Sequence, residues 1–467
     1  LFGGVLSESV GLLFKIWNTA FYASLNDRLQ SGSIIPYMKG VAPQQELCRK
    51  KNMSNKNIIM SLAFFFGGIS PLFAQNVIED DDDNEYDDEE IIIDKGNGKE
   101  EIIEVPEAML LELDSLLNDY KAKVYLVPDT NCHMSDINPV YETDVYKDRL
   151  RRLPTAMEMP WNEVVQKFID RYSGRLRRSV GFMLGASNFY MPIFEQALEV
   201  YGIPLELKYL PVIESALNPN AISRVGATGL WQFMLATGKR YGLKVTTMID
   251  ERRDPVKASY AAAHYLSDLY KIFGDWNLVI AAYNAGPENI NKAIRRAGGE
   301  TDYWKIYPYL PTETRGYVPA FIAANYIMNY YSEHNICPML AQAPVSTDTV
   351  MLYRDVHFEQ ISKVIGISMD QLRSLNPQYR KDVVTGYSEP TDLRMPVEYV
   401  NAFIENEDSI YAYNVDNLMK RAEVAVNDDA PVYRSSSRST ARKSKNARRG
   451  RSSRRSRGGR NVTIKNG

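Results

Sequence analysis

From Trp161 to about Cys337, apolar residues recur with a helical period: Val164, Val165, Phe168, Ile169 and Tyr172 form one stripe, and Ile193, Phe194, Ala197, Leu198 and Tyr201 another. The pattern predicts an all-helical domain over 160–340. Its boundaries carry terminus chemistry. Gly202 closes a stripe and Pro204 suits a first turn, while Asp254 then Pro255 give an N-cap and first turn before Ala258, Ala261, Ala262, Tyr265, Leu266 and Leu269. Upstream, Leu110, Leu111, Leu113, Leu116 and Leu117 fall at helical intervals between Val105 and Tyr120, which predicts a short docking helix. Downstream the period changes. An extended run at Val350 to Tyr353, helical stretches Gln360 to Ile365 and Met369 to Leu375, and a closing run Leu393 to Pro396 predict a β-α-α-β module over 348–398.

The ends of the chain do not read as a core. Residues 79–90 hold ten acids and no base, and residues 434–467 thirteen bases and no acid. Like charges repel and cannot pack, so the expectation is an acidic, partly disordered linker over 75–159 and a basic Ser/Arg-rich linker over 432–461. The run Ile58 to Ile69 after Met53 and Lys56, ending at Ala74, has the layout of a secretory signal peptide over 53–74 and is too short to span a bilayer. Residues 1–52 then read as an upstream or non-native extension. Export to the periplasm is expected, with no integral membrane segment after signal removal and no lipid anchor.

Composition adds that the bulk is globular: 45% of the 467 residues are hydrophobic and 24% charged. Together with the periodicity this gives a mainly α fold class. Of the 3 cysteines, Cys48 precedes the signal, and whether Cys132 and Cys337 pair is left open.

The chemistry concentrates in four stretches. In Tyr209-Leu-Pro-Val-Ile-Glu-Ser-Ala-Leu217 one carboxylate, Glu214, lies among apolar residues, so its helix should bury it and raise its pKa. A salt-bridged core glutamate would look the same. Then follow Gly226-Ala-Thr-Gly-Leu-Trp-Gln-Phe-Met234, Asp275-Trp-Asn-Leu-Val-Ile-Ala-Ala-Tyr-Asn-Ala-Gly-Pro287 and Glu313-Thr-Arg-Gly-Tyr-Val-Pro319. Taken singly, Trp231, Phe233 and Met234 read as core and Asn284-Ala-Gly-Pro as a turn. A saccharide reader needs amides and phenols (Gln232, Asn284, Tyr283, Tyr317) and apolar faces for sugar rings (Trp231, Phe233, Met234), and these types are present. Asp250, Glu251 and Asp254 read as helix-start residues, Glu313 as a structural partner of Arg315, and His264 as solvent-facing. His133, His264, His334 and His357 show no metal-ligand spacing, so neither metal nor cofactor is expected.

The four stretches together resemble the catalytic domain of soluble lytic murein transglycosylases and goose-type lysozymes, with most likeness to the membrane-bound lytic transglycosylase D group. The resemblance implies a lysozyme-like helical fold over residues 160–335, with Glu214 as catalytic acid and base and Ser215 as the hydroxyl beside it. It implies that Gly229, Leu230 and Gln232 line a saccharide groove, where Phe233 and Met234 are expected as the apolar faces. It also implies that Tyr283 and Asn284 face the glutamate and that the Tyr317 hydroxyl lies near it. The implied reaction cleaves the β-1,4 bond between N-acetylmuramic acid and N-acetylglucosamine and leaves 1,6-anhydromuramic acid ends. A hydrolytic muramidase and a non-catalytic wall-binding protein are the alternatives. Peptidoglycan glycan strands are the expected partner and nucleic acid is not. Ser368-Met-Asp-Gln-Leu-Arg-Ser-Leu-Asn-Pro377 and Leu393-Arg-Met-Pro396 resemble a LysM carbohydrate-binding module, in which Asp355, Val356 and His357 replace the usual Gly-Asp opening, so a binder and a purely structural copy both stay open. Val462-Thr-Ile-Lys-Asn-Gly467 resembles the first strand of a second, truncated LysM over 462–467.

Overall fold

The computed structural model describes residues 90–95, 99–111, 116, 125–342, 346–420, 424 and 426. The expected signal peptide, extension, basic linker and second LysM start lie outside these residues, as does half of the expected docking helix.

The stretch expected as an acidic linker contains a β-hairpin. Strands β1 (Glu90–Asp94) and β2 (Glu100–Glu104) pair antiparallel, with Ile91 opposite Ile103 and Ile93 opposite Glu101. Ile91, Ile93 and Ile103 face inward and are buried in the helical core, which is what alternation on a half-buried strand produces. A short 3-10 turn, Glu107–Leu110, follows where a longer helix was expected.

The helical domain is built as the periodicity predicts. After α1 (Thr143–Arg151), helix α2 (Glu163–Ser173) starts at Asn162, whose side chain accepts from the Val165 N–H at 2.9 Å. The long α3 (Arg177–Val200) leads through a 3-10 turn (Leu205–Tyr209) into the short α4 (Leu210–Ser215), then α5 (Leu235–Arg240). Asp254 caps α6 (Pro255–Phe273) through two bonds of 2.9 Å to the N–H groups of Val256 and Lys257. Helices α7 (Trp276–Ala285), α8 (Pro287–Arg296) and α9 (Tyr303–Ile306) precede α10 (Thr312–Tyr330), which is buried along nearly its whole length. Phe168, Phe194 and Phe321 are fully buried in this core, each worth roughly 1.5–3 kcal/mol of burial.

Two devices tie the start of the domain to its end. Strand β3 (Leu126–Val127) pairs with β4 (Leu340–Ala341), and Cys132 is disulfide-bonded to Cys337 across 205 residues. The closing chain lies so near α3 that a Cβ on Gly181 would meet the Cys337 carbonyl at 2.6 Å.

A second core follows. Strands β5 (Thr347–Leu352) and β8 (Thr391–Pro396) pair antiparallel, as do β6 (Val356–His357) and β7 (Val383–Val384), around helices α11 (Phe358–Ile365) and α12 (Met369–Leu375). Both helices begin with a capping box, one built on His357 and Gln360 and the other on Ser368 and Gln371. The β-α-α-β order matches the expectation, but the domain runs past 398. Helices α13 (Val397–Glu405) and α14 (Glu407–Ala412) add Phe403, Ile410 and Tyr411 to its core, and the Gln360 amide donates to the carbonyls of Tyr411 and Tyr413. No helix among the described residues is long and apolar enough to cross a membrane.

Candidate active site

Glu214 sits one residue from the end of α4, whose other residues Leu210, Pro211, Val212, Ile213 and Ser215 are all buried. The helix stops abruptly because Ala216 and Leu217 adopt left-handed backbone, φ 49° and 62°. For L-residues that costs roughly 1–2 kcal/mol each, held here by full burial. The Ser215 hydroxyl lies 3.0 Å from the Pro211 carbonyl and 2.9 Å from the Leu230 carbonyl, and its one proton is committed between them. Ser215 therefore ties the Glu214 helix to the turn 226–233 rather than offering a hydroxyl to a ligand.

That turn is closed by reciprocal bonds between Thr228 and Phe233. Gly229 is required there: its φ is 89°, and a Cβ would lie 1.8 Å from the Arg252 carbonyl oxygen. Leu230, Trp231 and Phe233 point into the core, where the Trp231 indole N–H donates to Ser259 at 2.9 Å and its ring meets Phe194 edge-on. The expectation that Gly229, Leu230 and Phe233 line a groove, with Trp231 as a sugar platform, is corrected: all four are packing residues. Gln232, at φ 47°, is turned outward with its amide N–H donating to the Gly229 carbonyl at 2.8 Å.

Glu214, Gln232, Met234, Tyr283, Asn284 and Tyr317 line one cavity of about 270 Å³. Tyr317, on buried α10, donates its hydroxyl to Glu214 Oε1. The Tyr283 hydroxyl donates to the Trp231 carbonyl at 2.7 Å. Asn284 Oδ1 accepts from the Thr314 hydroxyl at 3.0 Å, which orients the carboxamide and keeps its NH₂ available to a ligand.

Among the described residues, no lysine or arginine lines the cavity. Burial drives the Glu214 carboxyl up, the Tyr317 hydrogen bond pulls it back, and the negative charge of Glu313 adds a smaller upward push, leaving it at about 7. The group thus divides between acid and conjugate base near neutrality, the condition for donating and later accepting a proton.

Sequence reasoning missed several walls. Glu313 is exposed on the cavity rim instead of pairing with Arg315, which donates to the carbonyls of Leu310 (3.1 Å) and Pro308 (2.9 Å). The segment Pro106–Ala108 with Leu111 forms one face, and Glu107 accepts from the Arg224 N–H at 3.2 Å across from it. Asn218, Ile222 and Val225 also line it, as does Ser215 from the end of α4. Of these only Glu313 and Ser215 lie in motifs the sequence singled out. Asp250 and Asp254 take the helix-start roles expected of them, and His264 is solvent-facing beside Asp268.

Residues 191–306 match the family model of the transglycosylase SLT domain, and residues 346–412 that of the lytic transglycosylase MltD LysM-like domain. The chain is 34% identical over 209 residues to membrane-bound lytic murein transglycosylase D of Escherichia coli strain K12, covering 44% of this chain and 46% of that protein. It is 32% identical over 124 residues to the soluble lytic murein transglycosylase of the same strain, covering 25% of this chain and 19% of that one. Among solved structures it is similar to the 70 kDa soluble lytic transglycosylase of Escherichia coli, at 29% identity and TM-score 0.28, over 32% of this chain and 25% of that one. The chain spans less than half the length of these curated relatives. Residues 191–306, which supply Glu214, Gln232, Met234, Tyr283 and Asn284 to the cavity, are thus similar to a transglycosylase SLT domain, and residues 346–412 to an MltD-type LysM-like domain.

Proposed function

We propose that the chain is a peptidoglycan lytic transglycosylase, exported to the periplasm, whose acid and base is Glu214. The observation that carries this is one buried carboxyl, Glu214, held at about 7 and hydrogen-bonded by Tyr317, in a cavity lined by amides and phenols with no lysine or arginine among the described residues. Protonated Glu214 gives its proton to the glycosidic oxygen between N-acetylmuramic acid and N-acetylglucosamine, and the C1–O bond breaks with the 4-hydroxyl sugar leaving. The substrate's acetamido group assists departure. The carboxylate then takes the proton from the 6-hydroxyl of the same muramic residue, whose oxygen closes on C1 to give the 1,6-anhydro ring. Glu214 ends protonated, ready for another cycle, and no water is consumed. The tethered nucleophile enjoys the entropic advantage of intramolecular attack.

Gln232 and Asn284 hold the sugar's hydroxyl and N-acetyl groups, and Met234 gives an apolar face. The Tyr317 hydroxyl stabilises the carboxylate in the second half of the reaction. Export is supported by the Cys132–Cys337 disulfide, which suits an oxidising compartment, and by relatives named for murein.

The position of Glu313 favours one second reading. A carboxylate on the rim of the same cavity could activate water, making the enzyme a hydrolase with two acids across the bond. Mass analysis of muropeptides released from purified murein separates the readings. Anhydromuramic ends are expected, reducing ends would transfer the assignment to hydrolysis, and no release would remove the enzymatic reading.

A further inference from the structure

We propose, resting on the function above, that the LysM-like domain is part of the catalytic apparatus: it holds the Asp250–Arg252 ion pair from which Arg252 positions the cavity turn 226–233. The chain of contact is continuous. Residues 244–250 form a tight loop in which Thr246 N–H donates to the Ile249 carbonyl at 2.7 Å and the Thr246 hydroxyl accepts from the N–H groups of Met248 and Ile249. The tip of this loop belongs to the other domain's core. Met248 and Ile249 are buried with Leu352, Phe358 and Leu393 rather than among the catalytic helices.

The backbones are paired as well. Ile249 bridges Tyr379 antiparallel, the Asp250 N–H donates to the Gln378 carbonyl at 2.8 Å, and the Arg380 N–H donates to the Met248 carbonyl at 2.7 Å. The register of residues 378–380 thereby sets where Asp250 stands.

From Asp250 the path turns to the cavity. Its carboxylate takes the Arg252 guanidinium in a two-pronged grip at 2.9 and 2.8 Å, and both residues are buried. The remaining guanidinium nitrogen donates to the carbonyls of Gly226 (3.2 Å) and Phe233 (3.1 Å), the two ends of the turn. The Arg252 carbonyl occupies the space that a Cβ on Gly229 would need. One residue thus clasps the turn at its ends and its middle, and the turn displays Gln232, with Met234 just beyond it, to the cavity. A buried guanidinium stays only where its carboxylate partner is, so displacing the LysM-like domain displaces the saccharide-facing amide. Arg252 is a positioning residue acting through Gln232.

The test uses the full chain carrying Glu214→Gln, so that binding is read without turnover, and chitotetraose as probe. Arg252→Lys, which loses the fork, Arg380→Pro, which loses the N–H donor to Met248, and the milder Ile249→Ser are each expected to weaken chitotetraose binding about tenfold. Combined with Gln232→Ala they should add nothing, because the amide being positioned is gone. Hydrogen exchange at the Thr228 and Phe233 amides should quicken at least tenfold in all three. Unchanged affinity and unchanged exchange in the folded variants, or losses fully additive with Gln232→Ala, would overturn the inference alone. A parent that cannot bind chitotetraose would count against the glycan reading itself, and the exchange measurement would still decide the coupling.

Discussion

Asp250 and Glu214 are two withdrawn acids with opposite fates. Asp250 is gripped by a buried guanidinium and by backbone pairing on both sides. Glu214 accepts from a phenol and has the Glu313 carboxylate on the rim of its cavity, and no lysine or arginine among the described residues faces that cavity. A buried carboxylate with a fixed cation is a structural joint, because its charge is spoken for. One with only a neutral donor keeps its proton near neutrality and is free to exchange it. Sequence alone presents both as acids beside apolar residues, and the partner is what separates a strut from a reagent.

The largest effect expected is on turnover. Glu214→Gln should lower muropeptide release at least about 10³-fold, within the range of general acid–base catalysis, while its stability rises at high pH. The carboxyl's folded value of about 7 exceeds its ordinary 4.5, so folding favours the protonated form. The stability this contributes is complete below pH 4.5 and is lost as pH climbs through about 7. Urea unfolding of parent and variant should accordingly diverge by on the order of 1–3 kcal/mol between pH 5 and pH 8.5. Next, Arg252→Met should behave in the reverse way, destabilising the chain by about 3–5 kcal/mol because it strands the Asp250 charge. If the two variants lost stability alike, the distinction between strut and reagent would fail.

Reducing the Cys132–Cys337 bond, or Cys132→Ser, should cost about 2–4 kcal/mol in thermal unfolding while leaving the turnover of the folded fraction unchanged. The smallest effect sharpens the Glu214 side of the comparison. Tyr317→Phe removes the hydrogen bond that favours the carboxylate, so the alkaline limb of the pH–rate profile, which falls as Glu214 deprotonates near pH 7, should move up by about one pH unit.

Much of this was legible beforehand. The stripes of α2 and α6, the Asp254-Pro255 start and the two helices of the LysM-like domain follow from period and capping, which act locally. Glu214, Tyr283, Asn284 and Tyr317 were assembled from distant stretches and do share one cavity. What failed depended on three-dimensional neighbours. Gly229, Leu230 and Phe233 stand in the right motif but face inward, since a tight turn alternates its side chains and only Gln232 and Met234 come out. The hairpin at 90–104 was hidden by charge: Ile91 to Ile93 and Ile102 with Ile103 flank Gly96-Asn97-Gly98, a hairpin signature, yet the acid run beside them dominated the composition. The Arg252 clasp left no pattern, because a guanidinium aimed at two carbonyls is specified by the fold and not by spacing.

The most direct test is a titration of the Glu214 side chain itself, by carboxyl-carbon NMR on chain enriched at glutamate, with Glu214→Gln identifying the resonance. The account predicts one carboxyl with a midpoint near 7 that disappears in the variant. A midpoint near the ordinary glutamate value of 4.5 would show a carboxylate already ionised at neutral pH and would contradict it.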